Sequence, residues 1–197
     1  MSDQKRQYRM KRRAEQEAET RLRITESAVA LHGTVGPART SVSAVAEHAG
    51  VRRSTVYRHF PDEAALFGAC SAHWAARHPP PDVTAWERIG DPDDRLATAL
   101  GELYAYYHRN EEMLDNLLRD APVVPIVAEL MQPMGQFLAF ATEILLRGRG
   151  ARGKARDRQR AAIGHALAFA TWQDLTRAQG LDDAEAAALM SRLVAAA

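Results

Sequence analysis

No stretch of this 197-residue chain approaches the ~20 consecutive apolar residues that a membrane-spanning helix needs. The N-terminus is charged and lacks the apolar run of a secretory signal. A single cysteine, Cys70, excludes an internal disulfide framework and fits a reducing cytosol. The expectation is a soluble, cytoplasmic protein with no membrane partner. Catalytic motifs are equally scarce. The seven histidines, at 32, 48, 59, 73, 78, 108 and 165, form no HExxH and no i, i+4 pair. No complete GxxxxGK[ST] phosphate loop occurs, and Cys70 has no evident partner for nucleophilic work. The chain is therefore expected to be no enzyme and to need no cofactor or metal.

The formal net charge of +1 says little about partners, but its distribution does. Residues 1–60 hold twelve Lys and Arg against six Asp and Glu, whereas 61–197 hold fourteen against nineteen. A basic front and a mildly acidic rear point to a polyanion-binding end attached to something else. Within that front, no carboxylate occurs between Val51 and Phe60. Thr40 and Ser41 are candidate caps for a helix whose apolar face is Val42, Val45, Ala46 and Ala49, at i, i+3, i+4 and i+7. Gly50 follows, the residue best able to take a left-handed turn. Val56 and Phe60, four apart, give a second helix its buried side. Its other side carries Arg52, Arg53, Ser54, Thr55, Tyr57, Arg58 and His59. The pattern is a helix-turn-helix with a donor-rich second helix. An ordinary helical hairpin with an incidentally basic face satisfies the same spacing.

From about Leu22 to Trp74 the chain resembles the DNA-binding domain of the tetracycline-repressor-like (TetR) family of transcriptional regulators. The resemblance rests on Thr40-Ser41-Val42 with Val45-Ala46, on Ala49-Gly50-Val51, on Thr55-Val56-Tyr57-Arg58-His59-Phe60, and on Leu66-Phe67. It implies an all-α protein, with an N-terminal three-helix helix-turn-helix head and a C-terminal helical bundle for ligand binding and dimerisation. It also implies a ligand-responsive regulator, most often a repressor, that binds a double-stranded DNA operator as a homodimer and answers to a small-molecule effector. By motif position, Thr40, Tyr57 and His59 meet phosphates, and Arg52, Arg53, Ser54 and Arg58 face base edges or their flanks. Arg39, Ser41 and Thr55 complete the expected DNA-binding set. Two positions depart from the family pattern. Arg52 stands where Ser often caps the reading helix, and Glu63 stands where a Lys often meets a phosphate.

Along the chain, residues 1–19 read as a basic flexible arm with Lys5, Arg6, Arg9, Lys11, Arg12 and Arg13. It is either a DNA-backbone contact or a solvated tail. Residues 20–78 read as the head, with a first helix from about Thr20 to Leu31 and a fourth capped by Asp62. Cys70 falls on that helix's apolar stripe, where a structural thiol is expected. Three prolines at 79–81 end it, and 83–197 reads as the body. Its helices are expected over about Pro92–Arg109, Glu111–Arg119, an apolar segment from Pro125 to Arg147 interrupted by Pro133, Ala155–Gln179 and Asp182–Ala195. A glycine-rich basic link at 147–154 separates the last two from the rest.

In the body, Trp86, Tyr104, Tyr107, His108, Met113, Met134, Phe137, Phe140 and Trp172 are the expected ligand-binding residues, with Gln136 as a further polar anchor. Taken singly, each reads better as plain core. Ile163, Leu167, Ala170, Thr171 and Asp174, with Leu189 and Leu193 on the last helix, are the expected dimer interface. Alanine-rich stripes there allow either close two-fold pairing or packing within the chain.

Overall fold

In the computed structural model, which describes residues 2–197, the N-terminal segment is a helix rather than an irregular arm. Helix α1 runs Ser2–Thr34, starting well before Thr20. No glycine or proline occurs in its first 31 residues, and Lys, Arg, Glu, Gln and Ala are good helix formers. Lys11 with Glu15 (3.9 Å) and Arg13 with Glu17 (3.4 Å) add i, i+4 pairs. Residues 4–19 are exposed on every side.

The chain divides into two compact units, residues 1–78 with 112–130, and residues 79–111 with 131–197. In the first unit, α1 is followed by a 3-10 turn (Pro37–Arg39), α2 (Val42–His48), α3 (Arg53–His59) and α4 (Glu63–Arg77). The apolar faces expected of these helices close on one core, made of Ile24, Ala28, Val42, Val45, Ala46, Ala49, Val56, Phe60, Leu66 and Cys70. Asp62 caps α4 by accepting from Ala65 N (2.7 Å). Burial pushes the Cys70 thiol up to about 11, leaving a protonated core sulfur.

His32 is enclosed beside it, stacked on Phe67 with centroids 4.8 Å apart, its Nδ1 3.6 Å from Cys70 Sγ. Burial lowers its pKa from 6.5 to about 4, against a weaker opposing pull from Asp120. Above pH 6.5 neither folded nor unfolded chain protonates this ring. Between 6.5 and 4 only the unfolded chain does, so stability is lost as pH falls, by on the order of 3 kcal/mol in total. Urea unfolding at pH 7.5, 5.5 and 4.5 checks this. The acid slope is expected to flatten in His32→Leu, and an unchanged slope would place the titration elsewhere.

The first unit also takes in residues that the sequence reading gave to the body. Helix α6 is continuous over Pro92–Asp120, without the expected break near Asn110, whose Nδ2 instead donates to Tyr106 O (2.7 Å) inside the helix. The end of α6 is bonded to the α1–α2 connector. Asn116 Nδ2 donates to His32 O (3.1 Å) and Gly33 O (2.6 Å), Arg119 Nη2 donates to Val35 O (3.2 Å), and Asp120 Oδ2 accepts from Ala38 N (2.9 Å). Arg119 in turn holds Asp120 (2.8 Å) and lowers its pKa. Gly36, between them, has φ +91°, and a Cβ there would lie 2.0 Å from Arg119 Nη2 and 2.5 Å from Asp120 Oδ2.

In the second unit, the short α5 (Val83–Glu87) is capped by Asp82, and α7 (Pro125–Leu146) carries Pro133 within it. The expected single helix over Ala155–Gln179 is three pieces: α8 (Lys154–Leu167), α9 (Phe169–Gln173) and a π-turn (Asp174–Ala178). The break follows from tertiary bonds. Tyr104 Oη donates to Ala166 O (2.8 Å) and Tyr107 Oη to Leu167 O (2.7 Å), taking carbonyls a continuing helix would use. Helix α10 (Asp183–Ala195) starts on a capping box between Asp182 and Glu185. The link between α7 and α8 has GxGxxG spacing at Gly148, Gly150 and Gly153. It follows a helix, and Arg149 turns inward onto Leu145 O and Pro92 O, so the strand-turn-helix of a dinucleotide cradle is not built here.

Candidate nucleic-acid interface

The exposed surface of the first unit is drawn by α2, α3 and the turn between them. Ser41 closes the start of α2 by accepting from Ala44 N (3.1 Å), which leaves its own proton free to donate. Thr40 points the other way and donates to Gly36 O (2.8 Å), so its single hydroxyl proton is engaged within the head. At the other end, Gly50 takes φ +63°, and Val51 N donates to Ala46 O (2.9 Å), the left-handed stop expected there.

Helix α3 presents Arg52, Arg53, Ser54, Tyr57 and Arg58 to solvent, with Arg39 and Ser41 exposed beside them and Thr40, Thr55 and His59 half-buried. Arg52 occupies the cap position with no side-chain hydrogen bond, so the missing cap is real. Arg53 Nη2 donates to Tyr57 Oη (3.1 Å), and its guanidinium lies 5.4 Å from that ring's centroid. The pair holds Arg53 along the helix. Arg21 of α1 lies over the Phe60 ring at 4.1 Å and donates to the His59 carbonyl, fixing the end of α3. The His59 Nε2 is enclosed without a hydrogen-bond partner, which leaves Nδ1 as its remaining polar atom for a phosphate. Burial first, then Arg58 and Arg21, lower the His59 pKa, so the ring is neutral at pH 7. Glu63 lies in the first turn of α4, next to the capping Asp62.

The body residues singled out from the sequence are placed differently from one another. Trp86, Tyr104, Tyr107 and Trp172 are fully buried with their polar atoms in use. Trp86 Nε1 donates to Glu102 (2.7 Å), Trp172 Nε1 to Asp183 (2.9 Å), and both tyrosines hold the end of α8. His108 is exposed and meets Asp183 at 3.0 Å. Phe137 sets its edge on Trp86 (6.2 Å), Met134 is half-buried, and Gln136 and Phe140 face solvent. Met113 belongs to the first unit, with its methyl near Gly33. Ile163 and Leu167 are 0% and 1% exposed within their own chain, so neither has surface to offer a second copy. Ala170, Asp174 and Leu193 are exposed, and with Thr171, Leu175 and Leu189 they line a shallow concavity. The bonds from Asn116, Arg119 and Asp120 escaped the sequence reading. Asn116, Arg119 and Asp120 fall on the polar side of α6, away from the stripe of Leu103, Tyr107 and Leu114, so the sequence pattern reads them as a solvated helix end.

Among the described residues no three His, Cys, Asp or Glu side chains gather as a metal site, and no helix is long and apolar enough to cross a membrane. Residues 24–70 match the family model for bacterial regulatory proteins of the tetR family. No curated protein matches. Solved structures do. A TetR-like transcriptional regulator from Rhodococcus sp. RHA1 has 19% identity and TM-score 0.64, over 89% of this chain and 93% of that one. A transcriptional regulator from the same organism has 18% identity and TM-score 0.63, over 88% and 93%. A tetR-family transcriptional regulator from Streptomyces coelicolor has 22% identity and TM-score 0.58, over 90% and 78%. At these identities the likeness is one of fold.

Proposed function

We propose that this chain, whose residues 24–70 match the tetR-family model, is a DNA-binding transcriptional regulator that works as an effector-responsive homodimeric repressor. Two copies of α3 enter successive major grooves of a pseudo-palindromic operator, with half-sites about one helical turn (~34–36 Å) apart. The observation that carries this reading is the acid-free outer face of α3, where Arg52, Arg53, Ser54, Tyr57 and Arg58 are all exposed. The partly exposed Leu193 with Leu175 and Leu189 supports pairing through α9 and α10. The division is a head over residues 20–78, now joined by the end of α6, and an effector-binding and pairing body in the rest.

Release follows from population shift: an effector that favours a body conformation displacing Asn116, Arg119 and Asp120 moves the connector they hold, and with it α2 and α3. Effector affinity for the two states sets how far the operator is released. Selection of operator fragments from a random DNA pool, followed by gel shifts with candidate apolar small molecules, tests the reading. A pool that converges on no sequence would end it, and an operator affinity unmoved by any effector would leave a constitutive regulator.

Arg53 is the residue assigned to base reading, because an arginine fork fits the O6/N7 edge of guanine. Arg53→Ala is expected to lower affinity for the selected operator by about tenfold to a hundredfold and to relax the preference at one G·C pair. Binding assays across single-base operator variants check this. A uniform loss across all of them would make Arg53 a phosphate contact.

A further inference from the structure

The N-terminal turns of α1 lie outside the helix-turn-helix and have no packing role, since residues 4–19 are exposed throughout. Their charge is ordered all the same. At ~100° per residue, Lys5, Arg6, Arg9, Arg12 and Arg13 fall within about a third of the helix circumference. Lys5, Arg6, Arg9 and Arg13 line one shallow groove together with Met10 and Gln16. Glu15 pairs with Lys11 off the stripe and Glu17 with Arg13 at its margin, while Glu19 lies about two turns beyond Arg12, past the end of the stripe. Lys5, Arg6, Arg9 and Arg12 make no ion pair among the described residues. From Lys5 to Arg13 the stripe is about 12 Å long, enough to follow about three phosphates of one strand. The same helix is bonded to the end of α3 through Arg21; the edge of the stripe at Arg6 and Arg13 projects within a quarter turn of Arg21's direction, and its centre at Arg9 lies about a third of a turn away.

We propose that this cationic stripe is a second DNA contact, a rigid helical rail that binds the phosphate backbone flanking each half-site. It rests on the operator-binding reading above and deepens it. The rail supplies positive charge beside a head whose α4 begins with Glu63. Because it is a helix continuous with α1, its aim depends on helical register, which a flexible tail's would not.

Three proteins distinguish the possibilities: wild type, a variant with Lys5, Arg6, Arg9, Arg12 and Arg13 all changed to Gln, and a variant with two alanines inserted between Glu19 and Thr20. The insertion keeps every charge but turns the stripe by about 200°. Circular dichroism confirms that helix content is retained. Affinity is measured on the selected operator with long and with trimmed flanks, over a series of salt concentrations. Wild type is expected to bind long-flanked DNA at least tenfold better than trimmed DNA. Both variants should lose that difference, and the Gln variant's salt slope should fall by about 0.9 per phosphate lost. Equal affinity of wild type for both DNAs overturns the rail and leaves the operator reading standing. An insertion variant that keeps the flank preference overturns it too, in favour of a flexible tail. Capture of wild type on phosphatidylglycerol vesicles, with no flank preference, reassigns the stripe to membranes. Failure to bind any operator removes both the rail and the reading beneath it.

Discussion

Leu193→Glu is expected to convert the protein to a monomer and to weaken binding to a full operator by roughly 10²- to 10⁴-fold, the factor that two linked contacts gain over one. Leu193 is 53% exposed on α10, so the substitution opens no cavity and leaves the fold in place. On the proposed face it sets a carboxylate against an apolar surface, and the two-fold places a second one nearby. Asp174, which lines the same concavity, adds like charge. Sedimentation equilibrium reads the assembly state, and titration against full operator and isolated half-site separates lost pairing from damaged reading. The half-site affinity should not change. A dimeric Leu193→Glu protein would move the interface away from α9 and α10.

Gly36→Ala is expected to lower the stability of the head by about 2–4 kcal/mol, combining left-handed backbone strain with the loss of well-placed bonds around it. Any side chain at φ +91° is strained, and the added methyl would occupy the place of Arg119 Nη2 and Asp120 Oδ2. Relief requires the two side chains to withdraw. That would free Ala38 N and leave the Asp120 carboxylate, 4% exposed, without its partners. At roughly 2–4 °C per kcal/mol for a chain of this size, calorimetry should record a fall in Tm of about 5–15 °C. Gly50→Ala is the control. It also has a positive φ, +63°, but a milder one than Gly36 at φ +91° and ψ 157°, and it has open space at its Cβ, so it should cost less. Equal losses would assign the effect to backbone strain alone.

The helix-turn-helix was legible because its information is local. Val42, Val45, Ala46 and Ala49 repeat at helical spacing, Gly50 marks the stop, and Val56 and Phe60 anchor the second helix. What escaped depends on partners distant in sequence. Nothing in Leu167-Ala168-Phe169 announces a break, since alanine is the best helix former. The hydroxyls of Tyr104 and Tyr107, some sixty residues upstream, make it. The same bonds explain why two aromatic residues with the look of effector anchors have their polar atoms engaged elsewhere. The early start of α1 was hidden for another reason: residues 4–19 are exposed on every face, so no apolar period exists to detect. Asn110 misled as a helix break because its Nδ2 finds an acceptor inside the helix, the Tyr106 carbonyl. On the candidate interface, residue types told which groups are present but not which are spoken for, as with Thr40's engaged proton and the enclosed Nε2 of His59.

The π-turn at Asp174–Ala178 has a lesson for chain length. Its wider loop, closed by Gln179 N donating to Asp174 O (3.0 Å) and followed by Leu181 N to Leu175 O (3.1 Å), accommodates one residue more than an α-helix of the same rise. Excising that surplus residue would let the segment wind as ordinary α-helix. Leu175 would then swing by about 100° and leave the company of Leu189 and Leu193. A single codon gained or lost in this stretch would therefore re-aim the surface that this end of the chain presents to a partner.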